Sequence, residues 1–165
     1  MKIANCVECG APLKRNSKTH YICKNGHNFW NNPKCSVSVV FRRGKDILLA
    51  VRADEPYKGK LDVIGGYLEY DESPIDAAVR EVYEETTLQI KQDNLIVLGA
   101  FTAEYEPNIS STAIIYECTK WKGSPAAQDD VKDLFWGSPT LLTTDRFAWK
   151  SKDLAGLVSK IMARA

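Results

Sequence analysis

The sequence predicts a mixed α/β sandwich preceded by a small cysteine-bearing module. Three observations carry the prediction. Apolar runs of strand length lie on both sides of one well-capped helix, a second amphipathic helix comes near the end of the chain, and three of five cysteines fall within the first 23 residues. At 165 residues, with 44% hydrophobic and 26% charged content, the chain has room for one ordinary domain and a short appendage.

The elements follow in order. A turn-like stretch, Asn31-Asn32-Pro33-Lys34, separates the N-terminal module (residues 1–33) from the main domain (residues 34–165). Cys35 to Phe41 reads as a β-branched strand, Arg42 to Asp46 as a turn, and Ile47 to Val51 as the returning strand. Arg52 to Leu61, with Pro56 and Gly59, reads as loop. Gly65-Gly66 then breaks the chain before a helix with Ser73 as N-cap, Pro74 in the first helical position and Asp76 near the positive end. Ile75, Ala78, Val79, Val82 and Thr86 recur at helical spacing and are expected to face the core. Leu95 to Ala103 and Thr112 to Thr119 read as strands, Val131 to Trp136 is ambiguous, and Asp153 to Ala163 is an amphipathic helix.

No apolar run approaches the roughly 18 residues of a membrane helix. Met1 to Cys6 lacks the apolar stretch of a signal peptide, so the expected location is the cytoplasm. The net charge of +1 hides an asymmetry: residues 1–34 hold six Lys/Arg against Glu8 alone, a balance of +5 that leaves −4 on the remainder. A basic segment of this kind is either a solvated face or a contact for anions and nucleic acid.

Cys6-Val7-Glu8-Cys9-Gly10 is a C-x-x-C-G knuckle, and after thirteen intervening residues comes Cys23-Lys24-Asn25-Gly26-His27. Three thiolates and one imidazole make the closed tetrahedral arrangement of structural Zn²⁺, with Cys6, Cys9, Cys23 and His27 as ligands. His20 and Cys35 compete for the fourth place, and Cys118 reads as a core residue. A module this short lacks the apolar burial to hold itself together, so metal binding supplies its folding energy.

Arg80-Glu81-Val82-Tyr83-Glu84-Glu85 places three carboxylates at i, i+3 and i+4, within about 60° of Glu81 on one helix face. Such like-charge clustering costs a helix several tenths of a kcal/mol per pair. A hard divalent cation offsets it: Mg²⁺ takes oxygen ligands and keeps positions for water and phosphate oxygens.

Gly66, five residues, Glu72, seven residues, Arg80-Glu81-Val82, one residue, Glu84-Glu85, one residue, Thr87-Leu88 resembles the signature of the Nudix hydrolases. One defining position departs, with Thr87 where the family has glycine; a β-branched residue resists the left-handed conformation, so the helix is expected to end differently or run on. The resemblance implies an α/β/α sandwich with a mixed sheet. It further implies Mg²⁺ or Mn²⁺ held by the Gly65 carbonyl, Glu81, Glu84 and Glu85, with Glu81 acting as general base instead of ligand in some members. Glu72 and Arg80 resemble the pair that ties the glycine loop to the helix. Many members add an acidic ligand from a later loop, for which Asp130, beside Asp129, is the choice here, with Glu104, Glu106 and Glu117 as competitors.

The N-terminal module resembles the zinc ribbon that precedes the Nudix domain in a bacterial subfamily including NADH pyrophosphatases. The array that marks those enzymes is missing at Tyr105 to Ser110, which disfavours NADH itself. The implied function is hydrolysis of a phosphoanhydride in a nucleoside diphosphate linked to another moiety, such as a nucleotide sugar, ADP-ribose or a dinucleotide. Arg52 and Lys60 are candidates to steady the phosphates, and Tyr67, Tyr105 and Trp136 to stack on a base. The small-molecule nucleotide is the expected partner, nucleic acid the less expected one, and a homodimer is compatible with the resemblance. The alternative is a catalytically silent ligand sensor, or a binding module using the basic ribbon. Retention of Glu72, Glu81, Glu84 and Glu85 argues for the enzyme.

Overall fold

The computed structural model describes residues 4–106, 109–151 and 153–164, the side chains of Tyr105 and Glu106 apart. Its strands are β1 (Leu13–Arg15), β2 (His20–Cys23), β3 (Asn28–Trp30), β4 (Lys34–Arg43), β5 (Asp46–Arg52), β6 (Leu61–Asp62), β7 (Leu95–Glu106), β8 (Ile109–Cys118) and β9 (Val131–Gly137), with helices α1 (Pro74–Thr86) and α2 (Leu154–Ala163). Strands β1 to β3 form a small antiparallel sheet; the other six form a mixed sheet in the order β6-β5-β4-β8-β7, with β9 paired to β5. The β4–β8 pairing, Lys34↔Ser111 through Phe41↔Cys118, is parallel, and the other pairings of the large sheet are antiparallel.

Alternation along β4 and β5 explains the layers. Val37, Val39, Phe41, Leu48 and Ala50 join a core with Ala77, Ala78 and Val82 of α1. Val40, Ile47 and Leu49 point the other way, into a core with Leu157, Val158 and Ile161 of α2. A strand buried on both faces needs apolar residues at every position, which is the pattern of Val37 to Phe41 apart from the buried Ser38. The expected α/β/α sandwich is the fold. Val131 to Trp136, short and ambiguous in sequence, lies in a strand, Val131 to Gly137, paired antiparallel with Ile47 to Arg52 of β5.

Ser73 caps α1 as expected, its Oγ accepting from the Asp76 N–H at 3.2 Å, with Pro74 in the first turn. The buried face differs from the sequence expectation. Ala77, Ala78, Val82, Glu85 and Thr86 are buried, while Ile75 and Val79 are only half-buried. Rotating the buried stripe in this way carries one carboxylate, Glu85, into the protein. The helix does not run on at Thr87. That residue takes the left-handed conformation (φ 61°, ψ 0°) and its N–H bonds the Tyr83 carbonyl at 2.9 Å, so threonine terminates α1 where glycine would.

No helix among the described residues is long and apolar enough to cross a membrane.

Candidate active site and metal centre

The bend at Gly65-Gly66 lies between β4 and α1. Val37 N–H bonds the Gly66 carbonyl at 2.9 Å and Val39 N–H bonds the Ile64 carbonyl at 2.7 Å, so the bend's backbone docks on β4. That approach leaves no room for side chains. A Cβ on Gly65, whose φ is +143°, would lie 2.2 Å from the Val37 carbonyl oxygen, and one on Gly66 would lie 2.5 Å from Glu81 Oε1. The Gly65 N–H donates to Glu85 Oε2 at 2.9 Å, joining the bend to the last turn of α1.

Arg80 organises the rest. Its Nε and Nη2 donate to the two oxygens of Glu72, both at 2.8 Å, a bidentate pair, and Nη2 also reaches the Tyr67 carbonyl at 3.1 Å. Nη1 donates to Glu81 Oε1 at 2.8 Å and to Glu84 Oε2 at 2.9 Å. Arg80 and Glu72 therefore tie the loop to the helix, and Arg80 also fans out to two of the three helix carboxylates. The Arg80 hydrogen bonds hold the Glu72 carboxyl down to about 2.

The carboxylates differ sharply in environment. Glu85 is 6% exposed, and burial first, with Asp130, Glu81 and Asp62 adding to it, pushes its carboxyl well above the usual range. Burial also raises Glu81, and Glu84 and Asp130 push the same way. Glu84 is exposed. Asp130 is brought to this group by backbone bonds: Ala126 N–H to the Thr86 carbonyl (2.9 Å) and Gln128 N–H to the Glu85 carbonyl (3.0 Å), followed by the left-handed turn at Asp129. Of the competitors, Glu117 is buried elsewhere, between Arg42 (2.5 Å) and Arg164 (2.6 Å). Burial favours its neutral form, but the two guanidiniums outweigh that and lower its carboxyl. Glu104 bridges through its backbone to Lys150, and the Glu106 side chain lies outside the described residues.

An all-oxygen donor set in which two carboxyls are raised by burial and by their acidic neighbours fits a hard divalent cation, which relieves both effects. The carboxylates do not meet at one point as the side chains stand. Among the described residues the only set of three or more potential ligands within 4.8 Å of one another is Cys6, Cys9, Cys23 and His27.

A cleft of about 240 Å³ opens beside the bend, lined by Gly65, Gly66, Arg52 and Asp130 together with Tyr67, Phe101, Trp149 and three serines. Arg52 donates to Asp62 Oδ2 at 3.2 Å and to the Pro56 carbonyl at 3.0 Å, with Nη2 3.6 Å from Asp130. Asp62, whose carboxyl burial pushes up, also accepts from the Trp149 indole N–H at 3.0 Å. Sequence reading missed Asp62, Phe101 and Trp149. Asp62 alone left a signal, a carboxylate inside the apolar run Leu61 to Ile64.

The other named residues scatter. Lys60 turns its Nζ to the Asp145 carbonyl (2.5 Å) and does not line the cleft. Tyr67 lines it, with Lys34 Nζ 4.8 Å from its ring centre. Trp136 packs against Trp121 and beneath Arg43, away from the lining. The Tyr105 side chain lies outside the described residues.

Beside the small sheet Cys6 Sγ is 3.5 Å from His27 Nδ1, and Cys9 Sγ is 3.8 Å from Sγ of Cys23 in β2. Tetrahedral Zn²⁺ with bonds of about 2.3 Å to sulfur places its thiolates about 3.8 Å apart, so the spacing fits such an ion. The Ala11 N–H chiefly lowers the Cys9 thiol to about 6, favouring the ligating thiolate. His27 Nε2 faces Glu8 at 3.7 Å, which orients the ring with Nδ1 inward. His20 is committed elsewhere, to Asn16 and Asn28, and Cys35 is outside the cluster.

Comparison with known proteins agrees with this geometry. Residues 33–155 match the family model described as the NUDIX domain. The ADP-ribose pyrophosphatase of Methanocaldococcus jannaschii is 30% identical over 108 residues, 65% of this chain and 63% of that protein. The NAD-capped RNA hydrolase NudC of Pectobacterium carotovorum is 32% identical over 114 residues, 61% of this chain and 43% of that protein. The chain thus spans less than two thirds of the length of these curated relatives. The crystal structure of a NUDIX hydrolase from Nitrosomonas europaea superposes with a TM-score of 0.71 at 19% identity, covering 98% of this chain and 92% of that one.

Proposed function

This chain belongs to the Nudix family, and from that premise we propose that it is a pyrophosphohydrolase acting on a nucleoside diphosphate linked to another moiety, of the ADP-ribose or dinucleotide type. The observation that carries the reading is the bend at Gly65-Gly66, wedged against β4, bonded to Glu85 and abutting Glu81, in the lining of a cleft that also holds Asp130 and Arg52. The names of the Methanocaldococcus and Pectobacterium relatives support the substrate class.

In this reading residues 34–165 are the catalytic domain and residues 1–33 a structural zinc ribbon. The Gly65 carbonyl, Glu81, Glu84, Glu85 and Asp130 would hold Mg²⁺ or Mn²⁺. When bound, such an ion neutralises diphosphate charge and makes a water more acidic. In place of a ligand role, Glu81, which abuts a residue of the cleft lining, would be the group that takes the proton of the attacking water. Arg52, held by Asp62 and the Pro56 carbonyl, steadies a phosphate without having to order itself on binding. Tyr67, Phe101 and Trp149 give the base an apolar lining, with the Trp149 indole fixed by Asp62.

A substrate screen tests the reading: ADP-ribose, NAD⁺, NADH, a nucleotide sugar, a dinucleoside polyphosphate and an oxidised nucleoside triphosphate, each with Mg²⁺ or Mn²⁺, with products separated by chromatography. Metal-dependent release of a nucleoside monophosphate from ADP-ribose or a dinucleotide is expected. Binding without cleavage across the whole panel would favour the ligand sensor.

A further inference from the structure

The small sheet presents a face that the hydrolytic cleft does not use. Directly opposed residues of an antiparallel pair project to the same side. The registers Lys14↔Ile22, Ile22↔Asn28 and His20↔Trp30 therefore gather Lys14, His20, Ile22, Asn28 and Trp30 on one face. Leu13, Arg15, Tyr21, Cys23 and Phe29 occupy the other, the side of the buried Cys23.

On the first face Trp30 is 55% exposed, yet it is held still. Its indole stacks on the His20 ring with centroids 4.0 Å apart and planes 12° from parallel. His20 is fixed in turn, Nδ1 lying 2.9 Å from the Asn16 amide nitrogen and Nε2 2.8 Å from the Asn28 amide oxygen. Lys14 stands on the same face, and Lys18 and Lys24 lie exposed in the turns at the two ends of β2. The ribbon, residues 1–33, carries five Lys/Arg against Glu8, a balance that suits a polyanion. A flat ring pre-ordered in solvent on a face that also carries Lys14 matches one ligand chemistry, an unpaired base followed by phosphates. A protein partner would call for a broader apolar patch, and Ile22 alone extends Trp30 on this face.

We propose that this face of the ribbon is a docking platform for single-stranded nucleic acid, with a base stacked on Trp30 and the flanking phosphates on Lys14, Lys18 and Lys24. The inference is independent of the hydrolytic reading.

Fluorescence anisotropy of the full chain with a labelled, mixed-sequence RNA 12-mer bearing a 5′-hydroxyl tests it, because that probe carries no anhydride for the cleft. Binding is expected to weaken with salt, with a slope of about 0.7 per phosphate neutralised. Trp30→Ala should weaken it by about 5- to 100-fold, and Trp30→Phe should recover most of the loss, with metal content and melting temperature unchanged in both. Lys14→Gln should lower the salt slope by about 0.7. Equal affinity for the duplex of the same sequence would overturn the proposal, as would Trp30→Ala binding within twofold of the parent. So would failure to bind RNA together with self-association that Trp30→Ala abolishes, an outcome that would give the face to a second copy of the chain.

Discussion

Replacing Arg80 with lysine keeps the positive charge and removes the geometry. The guanidinium makes five hydrogen bonds, two to Glu72, one to the Tyr67 carbonyl, and one each to Glu81 and Glu84. An ammonium has three hydrogens at a single atom, so the bidentate Glu72 pair and the Tyr67 contact cannot both survive. Hydrogen bonds to charged groups contribute about 1.5–3 kcal/mol each. The Arg80 side chain is 24% exposed and Glu84 45%, and water compensates part of the loss. Arg80→Lys should therefore cost about 2–4 kcal/mol, which for a chain of this size lowers the melting temperature by about 5–15 °C. Because the same bonds tie the glycine bend to the helix, kcat should fall even at temperatures where the variant is fully folded. Thermal unfolding by circular dichroism, paired with turnover at 20 °C, measures both. A variant melting within 1 °C of the parent with unchanged turnover would refute the role given to Arg80.

Thr87→Gly should stabilise the protein by about 1 kcal/mol, since a non-glycine residue pays about 1–2 kcal/mol in the left-handed region while the Thr87 Oγ1 contact to Ser124, at 3.4 Å, is long; a rise of about 2–4 °C in melting temperature with unchanged turnover is the expected result. The Glu72 carboxyl, held near 2 by Arg80, stabilises the fold above its unfolded value of 4.5 and loses that contribution as pH falls from about 4.5 to 2. Melting temperature should drop across that window more steeply in the parent than in Glu72→Gln. Cys23→Ser breaks the four-ligand cluster, and elemental analysis should find the zinc content falling from one atom per chain to none. Amide protection should be lost in residues 13–30 and kept in β4 and β5.

How far the sequence reaches depends on the range of the interactions involved. Helix α1 was legible because its signals are local: Ser73 as cap, Pro74 beside it, and a charge pattern at i, i+3 and i+4. The gathering of Cys6, Cys9, Cys23 and His27 was legible too, since two knuckles spell it out and His27 follows Cys23 by four positions. What the sequence hid is set by contacts between distant segments. Glu85 is buried because the stripe of α1 that meets β4 is rotated from the one its apolar spacing suggests. The cleft joins Asp62 to Trp149, 87 residues apart, through a single indole hydrogen bond. Its serine-lined side exists because β4 pairs in parallel with β8, bringing Ser36 within 2.9 Å of Ser111. Thr87 misled for the opposite reason: a local preference lost to the tertiary need for a chain reversal at that point. Lys60 lies outside the cleft lining because sequence adjacency to the glycine bend says nothing about where a long side chain turns, here to the Asp145 carbonyl.

Turnover of Glu85→Gln under saturating Mg²⁺ tests the central claim most directly. Glutamine keeps an oxygen for the Gly65 N–H and preserves the shape of a buried position, so the folded structure should persist with a melting temperature within a few degrees of the parent. Removing the charge from the helix should lower kcat at least about 100-fold and weaken Mg²⁺ binding measured by calorimetry. A well-folded Glu85→Gln protein that turns over its best substrate at the parental rate would contradict the assignment of this helix as the catalytic one.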